Sequence, residues 1–196
     1  MKLFLEKIIL LEKISYILKN YSVNLVSLQK ENNNINQFMH IDDKKFLQQA
    51  IDLAVENVKS GRGGPFGAVI VKDGKVIATG TNVVTSTNDP TAHAEISAIR
   101  STCDKLDSFQ LEDCTIYSSC EPCPMCLGAI YWARPKRLVF AANKNQSADA
   151  GFDDAFIYKE IVLPLNQRNL MTENIILEDA QKPFLTWKNN DKKTDY

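Results

Sequence analysis

The residues with the most chemistry to offer fall in two short runs, Thr91-Ala92-His93-Ala94-Glu95 and Cys120-Glu121-Pro122-Cys123-Pro124-Met125-Cys126. One histidine and two cysteines make three ligands. That leaves the fourth tetrahedral position of a zinc ion open, the arrangement of a catalytic rather than a structural site. Zinc so held lowers the pKa of water toward ~7, and a nucleophile becomes available at neutral pH. The cysteines can be read in two registers, because Cys120/Cys123 and Cys123/Cys126 are both spaced C-x-x-C. Backbone chemistry chooses between them. Pro124 suits the first position of a helix and pushes Cys123 into extended geometry as its cap, which puts Cys126 on the first turn. Both sulfurs then gather at a helix N-terminus, whose partial positive charge favours thiolate. Cys120 ends the preceding strand and is a bystander in this reading. Glu95, two residues beyond His93, would crowd the metal as a ligand; its job is proton transfer.

Two blander readings compete. A run of three cysteines resembles part of an iron–sulfur motif, but no cysteine follows Cys126. A structural zinc module would use the same three ligands and have no need of Glu95. Neither explains H-x-E together with P-C-x-x-C, the known signature of the zinc nucleobase deaminases, so that class is a motif match standing beside the chemical argument.

The elements that must position these residues follow from patterning. Asp42 and Asp43 can cap a helix with apolar Phe46, Ala50, Leu53, Ala54 and Val58 at helical spacing, which Gly61 ends. Phe66 to Lys72 and Val76 to Gly80 read as strands joined through the hairpin turn Asp73-Gly74. A short helix is expected around 93–102, a strand at 115–119, a helix at 124–133, a strand at 137–142, a helix near 152–159 and a strand near 175–177, followed by a polar tail. Alternating strands and helices predict an α/β fold with a mixed, helix-covered sheet.

At 196 residues, 44% of them hydrophobic, the chain suits one domain. Residues 1–38 differ from the rest, with no Gly or Pro and a polar end, and read as a loosely ordered or helical extension to a domain over 39–196. A formal charge of -1 gives no field that would draw the protein to nucleic acid or an anionic membrane; Arg134, Lys136 and Arg137 form only a small basic cluster. Five cysteines, three of them within seven residues, are a poor disulfide framework and fit a reduced compartment. The apolar run Ile8 to Leu11 is bracketed by charges and too short to span a bilayer, and no secretory signal precedes Asn32. A cytoplasmic protein acting on a small neutral molecule is the expectation.

From about residue 42 to Tyr196 the sequence closely resembles the bacterial guanine deaminases of the cytidine-deaminase-like fold. The resemblance is carried by Gly63-Gly64-Pro65-Phe66-Gly67-Ala68, Asn88-Asp89-Pro90 and the adjoining His93 run, Ser119 to Pro135, Ala150-Gly151-Phe152-Asp153-Asp154 and Lys192-Lys193-Thr194-Asp195-Tyr196. It implies a three-layer fold with a five-stranded mixed sheet, one zinc per site, hydrolysis of guanine to xanthine and ammonia, and a homodimer exchanging C-terminal segments. It further implies that Asn82 and Ala94 contact the purine, that Phe66 and Trp132 wall a planar pocket, that Asp154 is a second carboxylate at the substrate, and that Tyr196 closes a neighbouring site. A tRNA adenosine deaminase, or a relative acting on guanosine or cytosine, shares the H-A-E and P-C-x-x-C chemistry and stays open as an alternative.

Overall fold

Two β-rich runs meet at Asp73-Gly74, where both residues take positive φ (50° and 72°), as a tight hairpin of right-twisting strands requires. The computed structural model describes residues 42–152 and 154–195. From Phe46 on, the described residues form one compact unit. The sheet and the site belong to that unit, and the expected extension over 1–38 lies outside the described residues.

Strand β1 (Gly67–Lys72) pairs antiparallel with β2 (Lys75–Thr81) on one side and with β3 (Thr115–Cys120) on the other, and β4 (Arg137–Ala142) runs parallel to β3. The order is β2-β1-β3-β4. A parallel β3/β4 pair needs a crossover, and helix α4 (Pro124–Ala133) supplies it.

Alternation along β1 sorts the two faces. Val69 and Val71 pack with Phe46 and Ala50 of α1 (residues 42–59), while Ala68 and Ile70 pack with Ala94 and Ala98 of α3 (Ala94–Leu106) and Ile130 and Ala133 of α4. A helix thus covers one face and two helices the other, in three layers. Two glycines set how close the layers come. A Cβ on Gly67 would strike the backbone of Ala50 and Ala54 in α1, and one on Gly80 would strike the Ala94 carbonyl and the Ala98 amide of α3.

The helix, strand and hairpin expectations from 42 to 142 hold, with α3 running on to Leu106. Beyond β4 come three short helices, α5 (Lys144–Asp149), α6 (Ala155–Glu160) and α7 (Lys182–Lys188); a short α2 (Val84–Thr87) lies between β2 and α3. The expected fifth strand is corrected: 171–177 takes no regular structure, and the sheet among the described residues has four strands. Ile175, Ile176 and Leu177 are all exposed, Ile176 by 87%, and a strand forms only where an open edge accepts its backbone groups. The tail is also less polar than expected, since α7 carries Phe184, Leu185 and Trp187.

Gly80→Ala should lower stability by about 1–3 kcal/mol by forcing α3 off β2. Gly128→Ala, at an exposed position of α4 with open space around it, should raise stability by about 0.4–1 kcal/mol. Urea unfolding midpoints measured at unchanged slope would show the two shifts in opposite directions.

Candidate metal and catalytic site

Two helices begin at the same point. His93 is the N-cap residue of α3, in extended conformation (φ -69°, ψ 162°), and Cys123 is the N-cap residue of α4 (φ -65°, ψ 167°), with Pro124 at the first helical position. Neither side chain caps its helix, so both are released for other work. Cys126 sits one turn into α4 and is fully buried.

His93 Nδ1 lies 3.6 Å from Cys123 Sγ and 3.5 Å from Cys126 Sγ, and all three donor atoms fall within 4.8 Å of one another. A tetrahedral zinc with Zn–S of about 2.3 Å and Zn–N of about 2.0–2.1 Å puts sulfur and nitrogen about 3.5 Å apart. The donor set and its spacing therefore fit zinc. The three groups otherwise compete for protons. The hydrogen bond from Cys126 is the main reason the Cys123 thiol falls to about 4, while Cys126 is pushed up and the bond to Cys123 raises His93. Metal binding replaces those protons, because thiolate and neutral imidazole are the binding forms. Cys120 is not part of this group: its thiol is directed to the Asn143 carbonyl at 3.8 Å.

Glu95, in the first turn of α3, is only 6% exposed, and Ser118 of β3 donates to its Oε1 at 3.1 Å. Burial raises its pKa; its own backbone amide, Cys126 and Ser118 pull the other way. A carboxyl held so lies beside the ligand cluster, where it can give and take protons. The preceding loop is braced by Asp89, whose Oδ1 accepts from the Thr91 amide (2.8 Å) and hydroxyl (2.6 Å) and whose Oδ2 accepts from Arg100 (3.3 Å). These bonds, the Thr91 hydroxyl foremost, hold the Asp89 carboxyl below its usual value.

His93, Glu95 and Cys123 open onto a cavity of about 280 Å³ whose other walls include Asn82, Phe66 and Asp154. Phe66 meets Phe152 edge-on, ring centroids 5.0 Å apart. Asp154 occupies the N-cap position of α6 but does not cap it with its side chain. Asn82 is buried, and its Oδ1 accepts from the Gly64 and Val84 amides, both at 3.4 Å. Ala94 is fully buried under β2, and its side chain is not among the cavity walls.

The structure does not bring Trp132 to this cavity. It is 64% exposed on α4 and lines a separate recess with Phe109, Ile99 and Thr194, because α4 runs away from the metal end toward that side. Tyr196 and Asp153 lie outside the described residues. Sequence reading missed Glu121, Ser147, Phe156 and Ile157 among the walls and Ser118 beneath Glu95. Glu121 sits between two motif cysteines and could have been noticed there; the others carry no local signal.

Comparison with known proteins agrees with this geometry. Residues 40–142 match the family model for the cytidine and deoxycytidylate deaminase zinc-binding region. The chain belongs to that family of zinc-binding deaminases. It is 54% identical over 156 residues to a guanine deaminase of Bacillus subtilis, spanning 80% of this chain and 100% of that one. A solved structure of guanine deaminase from Bacillus subtilis superposes with a TM-score of 0.77 at 56% identity, covering 78% of this chain and 98% of that one. A tRNA-specific adenosine deaminase of Haemophilus influenzae is 35% identical, over 74% of this chain and 82% of its own length.

Metal analysis checks the ligand register: Cys120→Ser should retain about one zinc per chain, whereas Cys123→Ser and Cys126→Ser should each lose most of it. Zinc loss from the Cys120 variant equal to that of the other two would mean that the wrong pair of sulfurs had been chosen.

Proposed function

We propose that this protein is a zinc-dependent guanine deaminase, converting guanine and water to xanthine and ammonia. The observation that carries the reading is one small cavity in which the His93, Cys123 and Cys126 cluster and the buried Glu95 face Asn82, Asp154 and Phe66. The 54% identity to a guanine deaminase along that protein's whole length supports the choice of base.

His93, Cys123 and Cys126 would hold the zinc, which would supply Lewis acidity and lower the pKa of water. Glu95 takes a proton from the attacking water and delivers it to ring nitrogen N3. It then takes the proton of the hydroxyl now on C2 and passes it to the exocyclic amine as the C2–N bond breaks, so that C2 keeps the oxygen as a carbonyl and ammonia leaves. Asn82 has its Oδ1 engaged by backbone amides, which turns its NH₂ to the carbonyl or ring-nitrogen acceptors of the purine. Asp154 accepts from the base's N–H groups, and Phe66 lies against its plane.

The same reading extends to a cytoplasmic homodimer acting in purine salvage or catabolism. Among the described residues, no helix is long and apolar enough to cross a membrane. Val162, Leu170, Met171, Ile175 and Ile176 are each more than three-quarters exposed, and β4 lies at a sheet edge. A C-terminal segment passing to a second copy would bury that surface, supply the missing strand to the partner's edge and bring Tyr196 to a neighbouring site. Sedimentation should give twice the 22.1 kDa chain mass; a monomer at micromolar concentration would remove this part of the proposal.

Turnover assays with guanine, guanosine, adenine, cytosine and a tRNA anticodon stem-loop test the activity. Ammonia and xanthine should appear from guanine. In Glu95→Gln, kcat should fall by roughly 10²–10⁴ with zinc retained. Inosine formed in the RNA with guanine untouched would move the protein to the tRNA-editing branch.

A further inference from the structure

Asn57 is fully buried on α1 and takes no part in the chemistry above. Its Nδ2 donates to two backbone carbonyls from different segments, Gly64 at 2.9 Å and Asn82 at 2.7 Å. Both acceptors are oxygens, so the orientation of the amide is fixed: the NH₂ must face them. The cost is visible at the other end, where Asn57 Oδ1 is buried with no hydrogen-bond partner among the described residues. An apolar side chain of similar size would fill the space without an orphaned oxygen. What the amide adds is the pair of donated bonds.

Those bonds join the segment before β1 to the residue following β2. Gly63 lets the two backbones approach: a Cβ there would collide with the Asn82 carbonyl and come within 3.2 Å of Asn57 Nδ2. Asn82 is then held on three sides. Its amide donates to Phe66 O at 3.1 Å, its carbonyl accepts from Asn57, and its side-chain Oδ1 accepts from Gly64 N and Val84 N. The last two bonds are long, at 3.4 Å, and weak by geometry. The side chain of Asn82 is therefore oriented less by its own bonds than by the backbone frame that Asn57 closes.

We propose that Asn57 is a positioning residue for base recognition, acting through Asn82 by fixing the Gly63-Gly64 turn and the Asn82 backbone with one bridging amide. The proposal rests on Asn82 contacting the purine. Asn57 itself touches neither substrate nor metal ligands, so its removal should loosen binding in ground and transition states alike.

The test is a cycle of Asn57→Leu, Asn82→Ala and the double variant, with guanine steady-state kinetics, zinc content and amide hydrogen exchange. Asn57→Leu should raise KM about ten-fold, with kcat within about three-fold and zinc retained. In the Asn82→Ala background that rise should vanish, because nothing remains to be positioned. Exchange at the Gly64 and Val84 amides should quicken by about ten-fold, with the centre of α3 unchanged. Asn57→Ser, which keeps one donor, should fall between, and it serves if the leucine variant fails to fold. A KM rise that is fully additive with Asn82→Ala, or unchanged exchange at both amides, would overturn the proposal. No effect of Asn82→Ala on KM would instead sink the base-contact reading of Asn82, and the exchange rates would still decide whether Asn57 fixes that segment.

Discussion

The whole site depends on two helix N-termini being forced to one point. His93 ends a loop and Cys123 ends another, and each becomes useful only because α3 and α4 pack against the same sheet face with their first turns adjacent. The distance between them is set by close packing. With Gly80 under α3, the helix backbone rests directly on β2, and His93 Nδ1 arrives 3.5–3.6 Å from both sulfurs. Metal–ligand distances tolerate deviations of only about ±0.2 Å. A packing interaction between backbone atoms, with no chemistry of its own, thus fixes the chemistry above it.

The same arrangement bears on the proton-transfer role proposed for the buried Glu95. A carboxylate removed from water pays a desolvation cost that raises its pKa. Here the first turn of α3 and the Ser118 hydroxyl return part of that cost without neutralising the group. The result is a carboxyl whose pKa lies above its ordinary value, held in one place by its helix. A mobile surface glutamate would have the ordinary acidity and would have to be immobilised again in every turnover.

How much of this was legible in the sequence follows the range of the interactions. The clustering of His93, Cys123 and Cys126, with Glu95 beside them, and the helix beginning at Pro124 were readable because H-x-E and P-C-x-x-C are local patterns with local consequences, and the Asp73-Gly74 hairpin likewise. Asn82 and Asp154 reached the cavity, but their importance came from family resemblance. By local rules each is an ordinary turn or cap residue, and it took the structure to show Asp154 at a cap position without a capping bond. Asn57 had no signal at all: an asparagine among charged neighbours on a surface-type helix gives no sign that it is fully buried. The fifth strand failed for a physical reason. The β-propensity of Ile175 and Ile176 is real, but a strand is a property of a pair, and no edge among the described residues accepts it.

The cavity divides into two parts with different mechanical support. The metal cluster and Glu95 stand on α3 and α4, long or well-packed helices rooted in the main core. The facing side, where base recognition is proposed, is built from Phe66 and Asn82, tied together by backbone bonds and by Asn57, and from the short α6 carrying Asp154 and Ile157, which buries none of its residues. Hydrolysis needs donors placed to tenths of an ångström, whereas choosing a base needs a surface that admits it and then closes. The bridge from Asn57 stiffens one wall of that side, holding an amide in register. The wall formed by α6 continues into the exposed apolar chain beyond Ile161, so the shape presented to a base there depends on whatever covers that chain. Covering it with a second copy would couple assembly to recognition and leave the metal centre as it stands.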